Sequence, residues 1–199
     1  PSSRLPQTDS EDESCADVLP QIRAAKARGV DVTVETCPHY LLLAAEDMTR
    51  LGSVLRMNPP VRARRHQEGL WRGLQDGTID MLATDHSPHT VEEKTRADIW
   101  EAISGFPGVE TAVPLMLTEV TRGRMTLERY VEWSSEAPAR AWGLYPKKGA
   151  LQVGGTATTT KAKRIRFPRE TQAVVSGLRA LPDRQRWHRP RFPPTSPAR

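Results

Sequence analysis

The chain has 199 residues, a formal net charge of +5 and a hydrophobic fraction of 37%. Such a length suits one domain of ordinary size. No apolar run reaches about 18 residues, which excludes a membrane-spanning helix. The polar first 14 residues carry no signal-peptide pattern, and the two cysteines form no disulfide framework, so we expect a reducing, cytoplasmic location.

Charge and composition divide the chain into three parts. Residues 155–199 hold 11 of the 29 Lys and Arg residues but only 2 of the 24 Asp and Glu residues. This stretch is also rich in proline and poor in apolar residues, so we predict a disordered basic tail. Residues 1–14 lack periodicity, so we predict that they are a disordered leader or a leader foreign to the domain, which leaves residues 15–154 as the folded domain.

Helical and strand-like patterns alternate along the first half of this domain. A helix is predicted over 16–28, with Ser14 as its N-cap and Gly29 just past its end. Further helices are expected at 44–50 and 67–74, and strands at 30–36, 54–57 and 79–84. This alternation is typical of βα units and predicts a parallel α/β sheet.

The second half of the domain is mainly helical in pattern. A helical turn near residues 92–94 precedes the rigid loop 105–108. A strong helix is predicted over 109–121, with Pro114 in its early turns, and two more over 127–133 and 139–144, separated near Ser135 and Pro138. We find no internal repeat.

Three chemically active side chains follow the predicted strand at 79–84. They lie in the run Asp85-His86-Ser87-Pro88-His89. Because chemistry in parallel α/β folds is placed at the carboxyl ends of strands, this run is a candidate site. Aspartate binds hard cations or acts as a general base, and histidine binds metals and carries protons. A polar loop that only caps the next helix is the competing interpretation.

A second imidazole follows the predicted strand at 30–36. His39 lies in the segment Thr36-Cys37-Pro38-His39-Tyr40. Alone it would be read as a hydrogen-bonded structural histidine, but two strand ends with metal-competent groups favour a shared zinc-type site. Cys37 is more typical of a small buried residue than of a nucleophile.

Four segments together resemble one enzyme family. They are ETCPHYL at 35–41, MNPPVR at 57–62, DHSPH at 85–89 and FPGVET at 106–111. In this order they resemble the cyclic amidohydrolases, the group of dihydroorotases, allantoinases and hydantoinases. The resemblance covers roughly residues 15–154. It implies the C-terminal part of a metal-dependent (β/α)8 TIM barrel, with its site at the C-terminal face of the strands.

The resemblance also implies residue roles. His39 would bind one zinc ion of a two-metal centre. Asp85 would bind the other and act as the catalytic general base and acid, moving a proton from the attacking water to the leaving ring nitrogen. Asn58, His89 and the backbone of Pro107 and Gly108 would contact the substrate, a small cyclic amide or ureide.

The substrate itself stays open at the sequence level. The resemblance in the Asn-Pro-Pro segment at 58–60 favours a dihydroorotase over an allantoinase, and a hydantoinase is a further alternative. A homo-oligomer is an open expectation, and a membrane partner is not expected.

Several parts of the family pattern are missing. The chain contains no His-x-His pair, Asp12 stands where a further ligand histidine is expected, and the bridging lysine would lie on a strand before this chain. A catalytic zinc needs about three protein ligands. We therefore expect the chain alone to be inactive, as the C-terminal part of a longer or altered hydrolase.

Two other functions compete with this interpretation. One is a non-catalytic amidohydrolase remnant that at most pairs with another subunit. The other is a nucleic-acid binder that uses the basic tail through phosphate contacts. Trp187 and Phe192 lie among arginines there, but no recognised module is present, so nucleic acid is the less favoured partner.

Overall fold

The computed structural model describes residues 11–156, together with the side chains of residues 13–156. Three short strands form one parallel sheet in the order β1 (Glu11–Asp12), β2 (Val34–Thr36) and β3 (Met81–Leu82). Glu11 pairs with Val34, and Glu35 pairs with Met81. Because the strands are parallel, the residues that follow Asp12, Thr36 and Leu82 emerge at one edge of the sheet.

Eight α-helices connect and flank these strands within the described residues. They are α1 (Leu19–Ala27), α2 (Pro38–Leu42), α3 (Met48–Leu51), α4 (Arg64–Asp76), α5 (Val91–Lys94), α6 (Gly108–Thr121), α7 (Leu127–Val131) and α8 (Ala137–Ala141). None of them is long and apolar enough to cross a membrane. The predicted parallel α/β order is confirmed.

The core lies between the sheet and the longer helices. Leu70 and Leu74 of α4 and Met116 of α6 are fully buried in it. Helix α4 ends at Gly77, whose φ of 77° is left-handed and suits a glycine. Cys37 is also fully buried, as expected for a small core residue.

The stretch predicted as a strand at 54–57 is not a strand. Residues Gly52–Leu55 form a 3₁₀ turn, and β3 pairs directly with β2. The side chain of Arg56 explains the difference, because its guanidinium donates to the carbonyls of Ile99, Trp100 and Ala102. These bonds hold the segment against the 99–102 loop.

Several other boundaries differ from the sequence prediction. Ser14 does not cap a helix, and its hydroxyl accepts a bond from Arg62 at 3.3 Å. Pro114 lies in the middle of α6. Helices α7 and α8 are joined without a break by a π-helical turn at Glu132–Glu136. Glu11 and Asp12, which fall within the leader predicted over 1–14, form β1.

Candidate active site at the strand ends

His39 lies in the first turn after β2. Pro38 starts α2 and directs His39 into the core, where its side chain is 7% exposed. The rings of Tyr40 and Phe106 lie 4.1 and 5.2 Å from its ring centre. Burial lowers the pKa of His39 from 6.5 to about 3, so the imidazole is neutral at physiological pH.

One nitrogen of this neutral ring stands out. His39 Nε2 is buried and finds no hydrogen-bond partner in the part of the chain that the structure describes. Leaving a buried polar atom unsatisfied costs about 1–3 kcal/mol. A neutral imidazole with an open ring nitrogen is the form that binds a metal ion, so His39 fits the predicted role of a ligand.

Asp85 stands at the turn after β3. Its φ is 42°, the one positive value at a non-glycine residue among residues 11–156. Aspartate adopts this left-handed conformation more readily than most residues, yet it still carries strain. The side chain is half-buried and engaged with other groups. Asp85 thus follows β3 at the same sheet edge at which His39 follows β2.

The loop before α6 closes against this turn. Ser87 N–H donates to the carbonyl of Phe106 at 2.9 Å. Gly108 passes so close to the carbonyl of Thr84 that a β-carbon would stand only 2.3 Å from its oxygen. A glycine is therefore required for the two loops to meet, and it brings the predicted substrate loop beside Asp85.

A small cavity lies where these segments meet. His39, Thr84, Phe106, Pro107 and Gly108 contribute to its wall, and its volume is about 20 Å³. That volume holds one water molecule and is too small for a ring substrate. The structure thus brings together His39, Pro107 and Gly108, with Asp85 following Thr84 in sequence.

The remaining predicted site residues lie outside the cavity wall. His89 is held within its own loop, with Nε2 at 3.3 Å from Ser87 Oγ and Nδ1 at 3.4 Å from Glu93 Oε2. Asn58 is exposed and precedes a cis peptide bond to Pro59. Its loop is tied to α2, because the Tyr40 hydroxyl donates to the Pro59 carbonyl at 2.9 Å.

Known proteins share this arrangement of segments. The model of the Amidohydrolase family matches residues 7–159. The chain belongs to this family. The family match starts before the predicted domain boundary at residue 15 and continues past the one at residue 154.

Individual relatives of this amidohydrolase chain are cyclic amide hydrolases. An allantoinase of Streptomyces avermitilis is 46% identical over 71% of the chain and 31% of its own length. A dihydroorotase of Geobacillus thermodenitrificans is 46% identical over 70% of the chain and 32% of its own length. The solved L-hydantoinase of Arthrobacter aurescens superposes with a TM-score of 0.69 at 42% identity, over 73% of this chain and 33% of that one.

The chain therefore spans about a third of the length of the curated relatives it matches. Its sheet and helices form part of a (β/α)8 barrel, as the sequence predicted. Amidohydrolase relatives of this kind are metal-dependent.

The described residues supply an incomplete ligand set for such a metal. His39 and Asp85 belong to no group of three or more converging His, Cys, Asp or Glu side chains among residues 13–156, whose side chains the structure describes. Residue 12, where a ligand histidine was expected, is an aspartate in β1. The division into leader, barrel part and tail remains a prediction, and nearly all of the tail lies outside the described residues.

Sequence reasoning missed two cations that join the site loops. Lys94 is buried, and its ammonium donates to the carbonyls of Arg56 at 2.7 Å and Ile103 at 2.9 Å. It also lies 5.1 Å from the ring centre of Phe106. Lys94 and Arg56 thereby fasten the Asn58 loop and the 103–108 loop together. The run Glu92-Glu93-Lys94 gave no signal of burial, since charged runs are usually solvated.

The sequence also assigns no role to His86. Its Nδ1 accepts the Val109 N–H at 3.1 Å, at the first turn of α6. This bond satisfies one of the free amide groups of the helix N-terminus. His86 therefore supports the loop that closes the cavity.

Proposed function

We propose that this chain carries part of the active site of a zinc-dependent hydrolase of cyclic amide C–N bonds, with His39 as a metal ligand and Asp85 as a metal ligand and proton carrier. The observation that supports it most is the buried, neutral His39 ring with an unpartnered Nε2 beside the cavity of Pro107 and Gly108. Bound zinc would polarise the amide carbonyl and lower the pKa of a water molecule.

The remaining steps would rest on the residues of the chain. Asp85 would take the proton of the attacking water and deliver it to the leaving ring nitrogen. The left-handed backbone at Asp85 would be held by the structure around it, which would limit the reorganisation needed for that transfer. Phe106 and the packed 105–108 loop would exclude water around His39.

Substrate contact is proposed for Asn58, His89 and the backbone of Pro107 and Gly108. The Gly108 N–H already donates to the Phe106 carbonyl at 2.9 Å, and the Pro107 carbonyl accepts from Thr111 at 3.0 Å. A ring amide would therefore use the remaining lone pair of such a carbonyl. Among substrates we favour dihydroorotate, with allantoin and hydantoins as the alternatives.

The incomplete ligand set leads us to propose that the 199-residue chain alone has no turnover. Two further parts of the proposal are a cytoplasmic location, supported by two free thiols, and a small-molecule partner. Nucleic acid remains the less favoured partner.

A chimera tests the function. Residues 15–154 would replace the matching stretch of the 46% identical dihydroorotase, which supplies the remaining two thirds of a barrel. We expect zinc-dependent turnover of dihydroorotate that falls at least about a hundredfold in Asp85→Asn, and a loss of bound zinc in His39→Ala. Glu92→Gln is the matched control, because it makes the same carboxylate-to-amide change at an exposed residue that follows the 85–89 loop.

Other results would contradict the proposal. A folded, zinc-loaded chimera without activity on dihydroorotate, allantoin or hydantoin would favour the non-catalytic remnant. Equal activity in Asp85→Asn would remove the proton-carrier role. Turnover by the 199-residue chain alone would show that its ligand set is sufficient.

A further inference from the structure

Three side chains with metal-binding atoms converge where the chain leaves β1. Cys15 Sγ and His66 Nδ1 are 3.8 Å apart, and His66 Nδ1 is 3.8 Å from Asp17 Oδ1. All three ligand atoms lie within 4.8 Å of one another, and no other trio of such side chains meets so closely among the described side chains of residues 13–156. We propose that Cys15, Asp17 and His66 bind a divalent cation of the zinc type.

The fold holds the parts of this trio together across a long sequence separation. Cys15 and Asp17 flank Ala16 at the 3₁₀ turn Ala16–Val18, whereas His66 lies in the first turn of α4. A β-carbon on Gly69 would stand 2.3 Å from the β-carbon of Ala16. The glycine thus lets the turn rest directly on α4, which places the thiol and the carboxylate beside His66.

The donor set suits zinc in type and spacing. A thiolate, an imidazole and a carboxylate are all zinc ligands, and tetrahedral zinc requires separations of about 3.3–3.6 Å between donor atoms. The two 3.8 Å separations must therefore shorten by a few tenths of an ångström, and the separation between Cys15 and Asp17, which is at most 4.8 Å, by up to about 1.3 Å. His66 is buried, whereas the Asp17 side chain is 68% exposed, so a rotation of Asp17 can bring its carboxylate closer to the ion. Solvent on the Asp17 side can supply a fourth ligand.

Two existing contacts compete with the ion. The Ala16 N–H donates to His66 Nδ1 at 3.2 Å, and Arg65 approaches Asp17 Oδ2 at 3.6 Å. The ion must take the Nδ1 lone pair from Ala16, so binding is coupled to a small shift at the start of the turn. The ion pair is a weak competitor because the Arg65 and Asp17 side chains are 70% and 68% exposed.

Cobalt(II) added to the full chain is the probe, because thiolate-bound cobalt gives a near-ultraviolet charge-transfer absorption. We expect this absorption at one equivalent of cobalt, its removal by zinc, and its loss in Cys15→Ser. It should persist in Cys37→Ser, which changes the other thiol, and in His39→Ala, which changes the proposed catalytic ligand. Asp17→Asn should weaken cobalt binding at least tenfold.

The exposed position of Asp17 makes Asp17→Asn a variant that keeps the fold. Unchanged cobalt affinity in this variant would overturn the three-ligand site. So would the absence of a thiolate absorption in the unaltered chain, or an absorption that survives Cys15→Ser and disappears in Cys37→Ser. Each of these results is independent of whether the chain hydrolyses any amide.

Discussion

His39 and the 85–89 loop both follow parallel strands, yet their polar groups are satisfied in opposite ways. His39 is buried against two rings and has a nitrogen without a partner. In the loop, the His86 and His89 rings bond to groups of the same loop or of the next helix. The unmet hydrogen-bonding capacity of this edge is therefore concentrated at His39 Nε2, where the fold bears a cost that a ligand would remove.

The largest expected effect is a pH-dependent loss of stability caused by His39. Its folded pKa of about 3 lies below the unfolded value of 6.5, so between these values the unfolded chain binds a proton that the folded chain does not. Stability should therefore fall as the pH drops from 6.5 to 3, by about 3–5 kcal/mol in total. Urea unfolding at several pH values measures this.

The matched variant for this effect is His39→Leu. It fills the same space without a titratable ring, so it should be at least as stable at pH 7 and should lack the extra loss in acid. His86→Leu, on the loop side, should keep that loss. A steep acid loss that remains unchanged in His39→Leu would assign it to another group.

The second effect concerns the close approach of Gly108 to the Thr84 backbone, where the loop before α6 meets the turn after β3. In Gly108→Ala the new β-carbon would collide with the Thr84 backbone, which cannot move like a side-chain end. We expect a loss of about 2–3 kcal/mol in unfolding free energy. Gly155→Ala is the control, because the nearest atoms to its β-carbon would be the Gln152 side chain at 3.1 Å and the Gln152 carbonyl at 3.2 Å, both much farther than 2.3 Å. Equal losses in both variants would contradict the close packing of the two loops.

The third effect tests the buried cation beside the loop. Lys94→Met keeps the length of the side chain but removes the ammonium donor from the carbonyls of Arg56 and Ile103, of which that of Arg56 keeps the Gly105 N–H at 3.3 Å. We expect a loss of about 1–3 kcal/mol at pH 7. Lys148→Met, at an exposed position, should change stability by less than about 0.5 kcal/mol.

Lys94 also carries its own pH signature. Burial lowers its pKa from 10.5 to about 8, so between these values the unfolded chain holds a proton that the folded chain has lost. Lys94 therefore makes the chain more stable as the pH rises from 8 to 10.5. Urea unfolding should show this rise in the unaltered chain and a smaller one in Lys94→Met. A rise of the same size in both would show that Lys94 is not its source.

The sequence predicted those parts of the site edge for which the pattern lies within a few neighbouring residues. Alternating residues before Thr36 and an apolar run before Thr84 indicated strands, and the polar residues after them then had to emerge at one edge. The family motifs added residue roles, which hydrophobic periodicity alone does not indicate. The parts of the site that could be predicted are therefore those that depend on residues close together in the sequence.

The missed parts depend on partners distant in sequence. Arg56 lies in an apolar stretch that resembles a strand, and only its bonds to residues 99–102 show why it is not one. The burial of Lys94 needs a carbonyl 38 residues away, and the contact of His66 with Cys15 spans 51 residues. No local pattern encodes such pairs, because loop closure and packing decide them together.

The smallest effect probes how the loop supports α6. His86→Ala removes the acceptor of the Val109 N–H, which should cost about 0.5–1 kcal/mol, as for the loss of a helix cap. Hydrogen exchange at Val109 should become faster. His86→Asn is the matched variant, because its side-chain oxygen can accept the same bond and should restore part of the protection. If exchange at Val109 is equally slow in His86→Ala, the loop is held by its bond from Ser87 to Phe106 instead, and the imidazole is left free for another role.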